Sequence, residues 1–191
     1  MILEHGLKFH VIGLEKRFWS VDQCNSIIEQ YKDKFVPYSF QSLNNWGGGD
    51  QPENYNCTSN RANVHSMDIP MSELNQLIHE YNDMSYNFAL GDNTVQYINR
   101  LTPEHDLGWH KDNLEQIETL YTKRPPYRIS VVILLNNKFE GGATEIFRHT
   151  PYKLNTGDAL LFCCDMWHRS QKVTEGVKFS FNLWKQGVEW R

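Results

Sequence analysis

The residues best suited to chemistry lie at 108–113, Gly-Trp-His-Lys-Asp-Asn. Side chains two apart on an extended segment share a side, so His110 and Asp112 can grip one metal ion between an imidazole and a carboxylate. Two protein ligands under-coordinate an ion, and a third must come from elsewhere. His168, in Asp165-Met166-Trp167-His168-Arg169-Ser170, follows the apolar run Ala159–Cys164, which reads as a buried strand. It should emerge at a strand start beside a cavity. His105 competes with His110, but the adjacent Asp106 would diverge from it on a strand, and Pro103 favours a loop. His149, between Arg148 and Thr150-Pro151, reads as a strand end or loop and ranks below His168.

Lys178 opens Lys-Phe-Ser-Phe-Asn at 178–182, ten residues after His168. Val177, Phe179, Phe181 and Leu183 fill one face of that strand, and Lys178, Ser180, Asn182 and Trp184 fill the other. The second face is polar yet flanked by bulky apolar residues, as a barrel interior holding a ligand would be. A buried ammonium needs an anionic partner, because an unpaired buried charge is costly.

Two His, one carboxylate and open positions make the facial triad of non-heme Fe(II) oxygenases. His110-x-Asp112, then His168, then Lys178 resembles the Fe(II)/2-oxoglutarate-dependent dioxygenases, and within them the prolyl 4-hydroxylase-like branch. Tyr97 in Val95-Gln96-Tyr97-Ile98 sits where that branch has an upstream tyrosine. Arg128–Asn136 is similar to its central strand, and Phe139–Phe147 to its Gly-Gly turn and following strand. The resemblance implies Fe(II), 2-oxoglutarate and O2, with ascorbate as a possible support. His110, Asp112 and His168 would hold the iron. Lys178 would take the distal carboxylate of 2-oxoglutarate, with Ser180 beside it. Tyr97 would donate its phenol to that carboxylate or else fill the core. The implied chemistry couples decarboxylation of 2-oxoglutarate to succinate with hydroxylation of an unactivated C–H bond. Halogenating relatives keep a small residue where Asp112 stands, so Asp112 favours hydroxylation. The substrate would be a prolyl or other amino-acid residue in a peptide, or a free amino acid. Arg128, Trp46, Tyr55 and Trp184 are candidate substrate contacts, and Trp109 reads as core or cavity wall. Two other readings stay open: a cupin-type metal oxygenase without 2-oxoglutarate, and a non-catalytic jelly-roll binding module.

Composition is compatible with this. The chain has 191 residues, 40% hydrophobic and 22% charged, which is ordinary for one globular domain with a full core. A formal charge of -4 offers no general attraction to nucleic acid or anionic lipid. No apolar run is long enough to span a membrane, and residues 1–6 lack the pattern of a secretion signal, so a cytoplasmic location is expected. Cys24, Cys57, Cys163 and Cys164 show no disulfide framework or zinc pattern, which fits a reducing compartment. The sequence leaves oligomeric state open.

The elements that must position the site follow. The expected fold is α+β, mainly β: a double-stranded β-helix (jelly roll) with two N-terminal helices packed on one sheet. The single domain would divide into helical support and a lid loop over 1–92 and a jelly-roll core over 93–191. An edge strand is expected before Phe18. Ser20 and Gln23 form a capping box for a helix ending near Lys34. Pro70 opens a second helix with a stripe at Leu74, Leu77, Ile78 and Tyr81, stopped by Gly91, with His79 beside the stripe as a structural residue. The segment Asn44–Asn54, rich in Gly, Asn and Pro, is either a lid carrying Trp46 and Tyr55 or a mobile surface loop. Strands are expected near 94–101, 108–113, 127–136, 143–148, 158–164, 168–174 and 177–185, with 114–126 as a connection.

Overall fold

The Ser20–Gln23 pair starts the first helix through both of its reciprocal bonds. In the computed structural model, which describes residues 1–5, 11–41, 58–66, 68–112 and 126–188, Gln23 N–H donates to Ser20 Oγ at 3.2 Å. Ser20 N–H returns to Gln23 Oε1 at 2.8 Å, and α1 runs Val21–Tyr31. The second helix, α2, runs Ser72–Met84 and buries Leu74, Leu77, Ile78 and Tyr81, with His79 exposed. It stops well before Gly91. Asn87, at φ 53°, turns the chain out, and the Asn82 carboxamide bonds both polar groups of the Phe88 backbone. Gly91 instead lies inside a strand.

The strands are β1 (Ile2–His5), β2 (Val11–Glu15), β3 (Val36–Gln41), β4 (Thr58–His65), β5 (Ala89–Leu101), β6 (Asp106–His110), β7 (Tyr127–Leu134), β8 (Phe139–Gly141), β9 (Thr144–Ile146), β10 (Ala159–Cys163), β11 (His168–Ser170), β12 (Val173–Gly176) and β13 (Lys178–Val188). One continuous antiparallel ladder runs β1-β2-β10-β7-β13-β5-β4-β6-β11-β9, with β3 on β4, and β12-β8 forms a separate ribbon. The ladder curls, because residues of β7, β13 and β5 border the same pocket as residues of β6, β11 and β9. This is the jelly roll expected. Ile129 and Ile133 of β7 and Phe181 and Leu183 of β13 point the other way and are fully buried. They share one apolar core with Cys24 and Tyr31 of α1 and the α2 stripe. Alternation along two neighbouring strands thus splits a site face from a helix-bearing face.

The N-terminal half contributes more strands than the one edge strand expected before Phe18. β1 to β4 belong to the same sheet, and β4 pairs with β3, β5 and β6. The residues of β4, Thr-Ser-Asn-Arg-Ala-Asn-Val-His, are mostly polar, so no apolar alternation marks them as a strand. Pairing on both sides supplies what propensity lacks. Among the described residues, no helix is long and apolar enough to cross a membrane.

Candidate active site

β6 ends on His110 and β11 opens on His168, and the two are paired directly in register. Their rings lie 4.2 Å apart at 50°. Asp112 lies past the end of β6, in a bend and not on the strand expected from parity. Its N–H donates to the Cys164 carbonyl at 3.1 Å, which folds the carboxylate back between the rings. Oδ1 is 3.5 Å from His110 Nε2 and Oδ2 is 3.2 Å from His168 Nε2. The ligand atoms of all three residues fall within 4.8 Å of one another.

Each imidazole is set by its own chain two residues back. His110 Nδ1 is 2.8 Å from the Gly108 carbonyl and His168 Nδ1 is 3.0 Å from the Met166 carbonyl. A carbonyl only accepts, so each Nδ1 carries a hydrogen and each Nε2 is turned toward the same point. Burial lowers the His110 pKa, which favours the neutral, ligating ring. Burial pushes the Asp112 carboxyl up, but in the ion-free protein the protonated form of His168, and hydrogen bonds from Nε2 of either ring when it is protonated, hold it well below the usual carboxylate range, a place the metal ion would take. Two oriented nitrogens and one carboxylate on one side, with the other side facing the pocket, fit a six-coordinate Fe(II).

Ser130, 1% exposed on β7, donates to Asp112 Oδ2 at 2.7 Å and lies 3.0 Å from Cys164 Sγ. Burial and the Asp112 charge keep the Cys164 thiol well above its ordinary pKa, so the sulfur stays protonated and donates to Ser130 Oγ. The chain of donors therefore ends on the ligand carboxylate. Losing such a support costs roughly 10- to 100-fold in metal affinity. Ser130→Ala is expected to weaken Co(II) or Mn(II) binding by about tenfold or more, measured by direct titration of the metal-free protein.

Lys178 is 3% exposed and pairs in register with Leu101. Its Nζ donates to the Gly142 carbonyl at 2.6 Å and to Ser170 Oγ at 3.0 Å. These are its only hydrogen-bond acceptors among the described residues, which leaves one N–H unspent and the charge without an anion. Burial lowers its pKa to about 8. Gly142, at φ 64°, presents that carbonyl, and a Cβ there would meet Lys178 Cδ at 3.2 Å. Ser170 lies two residues beyond His168, about 7 Å along a strand. The ammonium thus sits about one short dicarboxylate's length from the metal cluster. Ser180 also lines this pocket, and its oxygen accepts from Asn182 Nδ2 at 3.1 Å, leaving its own hydrogen for a ligand.

Two expected contacts sit elsewhere. Tyr97 pairs with Asn182, four residues from the Leu101–Lys178 pair, so about 13 Å of strand separates it from the ammonium. Its ring packs on His65 and Trp184. Tyr97 is not among the residues that border the metal pocket with Lys178. Arg128 is buried, donates through Nε to the Gly187 carbonyl at 3.4 Å and lies over Phe88, bracing β13 outside the metal pocket. Trp184 does line the pocket, whereas Trp109 packs on Phe147 and under Arg169. Trp46 and Tyr55 lie outside the described residues. His105 bonds Thr102 within its own turn, and His149 is outside the ligand cluster. Sequence reasoning missed Ser130, Ser170 and Asn99. Asn99 lines the pocket at 1% exposure with no partner for Oδ1 among the described residues. The available signal was parity: Asn99 shares the face of Leu101, and Ser130 interrupts an apolar strand.

Residues 95–186, which include the triad and Lys178, match the family described as the 2OG-Fe(II) oxygenase superfamily. No curated relative matches the chain. Among solved structures, the viral collagen prolyl hydroxylase of Paramecium Bursaria Chlorella virus-1, in its 2OG complex, is 15% identical with a TM-score of 0.67, over 95% of this chain and 98% of that one. A Pseudomonas putida prolyl-4-hydroxylase is 10% identical with a TM-score of 0.64, over 93% of each chain. A Trichoplax adhaerens prolyl hydroxylase, solved with a hypoxia inducible factor oxygen degradation domain peptide, is 12% identical with a TM-score of 0.59, over 92% and 83%. At these identities the likeness is one of fold. Family match, fold and His-Asp-His cluster agree: residues 95–186 carry the match to the 2OG-Fe(II) oxygenase superfamily, and the fold that holds the cluster is similar to that of solved prolyl hydroxylases.

Proposed function

We propose that the enzyme hydroxylates an unactivated C–H bond of a prolyl or other amino-acid residue, in a peptide or as a free amino acid. His110, Asp112 and His168 hold the iron, and Lys178 with Ser180 holds the distal carboxylate of 2-oxoglutarate. One observation supports the reading most: a buried cation without an anion lies about 7 Å along the strand from the ligand cluster. A binding module has no use for that combination, and a cupin-type oxygenase without a co-substrate has no use for Lys178. Fe(II) with 2-oxoglutarate and O2 supplies the oxidising power that amino-acid side chains lack. The chain supplies position. Gly108 and Met166 aim the imidazoles, Ser130 fixes the carboxylate, and Lys178 sets the co-substrate's reach. Asp112 occupies the third protein position, which leaves no place there for a halide. Structures of peptide-acting relatives support a peptide substrate. We also take the chain as one domain, with 1–92 bracing the 93–191 core. A cytoplasmic, reducing setting fits the free thiols of Cys24 and Cys164.

Incubation with Fe(II), ascorbate, 2-oxoglutarate and a panel of peptides and free amino acids tests the proposal. The expected result is substrate-stimulated succinate release matched by a product heavier by one oxygen atom. Turnover that no amino-acid substrate stimulates would contradict it.

The pH dependence follows from Lys178. Its pKa of about 8 in the fold lies below its ordinary 10.5, so the unfolded chain binds more protons between those values. Stability of the ligand-free protein is expected to rise with pH through that window. Affinity for 2-oxoglutarate needs the ammonium and should fall by up to about tenfold per pH unit above about 8. Equilibrium dialysis with Mn(II)-loaded protein measures this, with Lys178→Met as the pH-independent control.

A further inference from the structure

We propose that a second ligand site lies behind Lys178, that it takes a small monocarboxylate with an apolar tail, and that this ligand and 2-oxoglutarate exclude one another. The site itself does not involve the iron; its effect on 2-oxoglutarate rests on the oxygenase reading above. A cavity of about 350 Å³ borders Lys178 and touches none of the three metal-ligand residues. Along β7, Ser130 holds Asp112, Val132 borders both the metal pocket and this cavity, and Leu134 borders the cavity alone. The cavity therefore lies beyond Lys178, on the side away from the triad.

The ammonium stands on the partition between the two spaces. One of its acceptors, Ser170 Oγ, belongs to a residue that borders the metal pocket only. The other, the Gly142 carbonyl, belongs to a residue that borders the rear cavity only. An ammonium has three N–H groups, and these two acceptors leave one for a ligand on either side. One hydrogen and one positive charge cannot serve two carboxylates at once. A carboxylate seated from the rear thus takes the partner that 2-oxoglutarate needs from the front, which makes the two ligands antagonists.

The lining selects the occupant. A volume of about 350 Å³ falls in the range of small-molecule sites, which are mostly apolar with a few fixed polar groups. Val132, Leu134, Phe139, Ala143 and Leu154 supply the apolar wall, and Lys178, 3% exposed, supplies the inner charge. A buried cation favours an anion strongly, because it has little water to fall back on. Glu140 and Lys153 are both exposed and border the same cavity, so their charges offset and add no second anion site. One carboxylate head at Lys178 and one hydrocarbon tail along Leu134, Phe139 and Leu154 match this arrangement. Hexanoate is the simplest molecule of that description.

The test uses the full chain in two measurements. Calorimetric titration of the metal-free protein compares hexanoate, acetate and hexanol. Hexanoate is expected to bind at one per chain and at least about thirtyfold tighter than acetate, since each buried methylene is worth about fourfold. Hexanol, which lacks the carboxylate, should bind at least about tenfold more weakly than hexanoate, and Lys178→Met should lose that preference. Leu154→Trp, which fills the cavity, should weaken hexanoate by about tenfold or more. Leu154→Ala, which strips the wall, should weaken it by about fivefold and decides the matter if the tryptophan variant does not fold. Equilibrium dialysis of Mn(II)-loaded protein then follows 2-oxoglutarate. Hexanoate at ten times its own Kd should raise the apparent Kd of 2-oxoglutarate about tenfold, and both Leu154 variants should bind 2-oxoglutarate alone within about twofold of wild type. The proposal is overturned if hexanoate does not bind, if acetate or hexanol binds as well, if the Leu154 variants leave hexanoate affinity unchanged, or if the two ligands bind together without interference. Loss of 2-oxoglutarate in the Leu154 variants would also overturn it, because the cavity would then be part of the co-substrate site. Failure of wild type to bind 2-oxoglutarate would instead strike the oxygenase reading, and hexanoate binding that depends on Lys178 and Leu154 would still support the rear site.

Discussion

Asp112→Ala should lose at least about 100-fold in Fe(II) or Co(II) affinity, and with it the coupled turnover of 2-oxoglutarate. Removing a residue that merely orients a ligand already costs up to about 100-fold, and Asp112 is itself the one anionic member of the set. Two neutral imidazoles without an anionic ligand hold Fe(II) or Co(II) far more weakly than the complete triad. The substitution also strands Ser130, whose hydroxyl donates to Asp112 Oδ2 at 2.7 Å and would lose its acceptor in a buried site. That adds a stability cost of about 1–3 kcal/mol. Asp112→Asn separates the two effects. Its carboxamide oxygen still accepts from Ser130, so thermal stability should stay near wild type while metal affinity falls as it does for alanine. Retention of tight metal binding by either variant would move the metal away from residue 112.

Lys178→Met should weaken 2-oxoglutarate binding by at least about thirtyfold, since truncating one partner of a buried charge pair costs about 2 kcal/mol or more. The same change should not destabilise the ligand-free protein. Moving the Lys178 pKa from 10.5 to about 8 reflects a burial cost on the order of 3 kcal/mol for the charged form. Methionine removes that cost and forfeits the bonds to the Gly142 carbonyl and Ser170 Oγ. The balance predicts a Tm that rises by about 2–5 °C. Calorimetry of the ligand-free variant decides this. A fall of several degrees would mean that Lys178 is paired structurally and is not held ready for a ligand.

The legible parts of this site were those that strand alternation controls. Lys178, Ser180, Asn182 and Trp184 share a face, and all four line the pocket as parity predicts. The Ser20–Gln23 cap and the α2 stripe were equally readable, because each depends on residues three or four apart. What parity could not show is how the chain leaves a strand. Asp112 reaches the metal cluster through a bend pinned to the Cys164 carbonyl, a contact 52 residues away that no local pattern encodes. β4 was hidden for the opposite reason: its polar residues are held by partners on both sides and not by their own propensity. Tyr97 shows the limit of resemblance. Its position before the first ligand looked right, yet antiparallel register places it opposite Asn182 and away from Lys178.

The most direct test is an anaerobic titration of the Fe(II)-loaded enzyme with 2-oxoglutarate, followed in the visible. Chelation of the co-substrate at the His110–Asp112–His168 iron should give a weak charge-transfer band that saturates at one equivalent per chain. The band should be lost in Asp112→Ala and should need far more 2-oxoglutarate in Lys178→Met. Tight Fe(II) binding with no band at any concentration of 2-oxoglutarate would contradict the account.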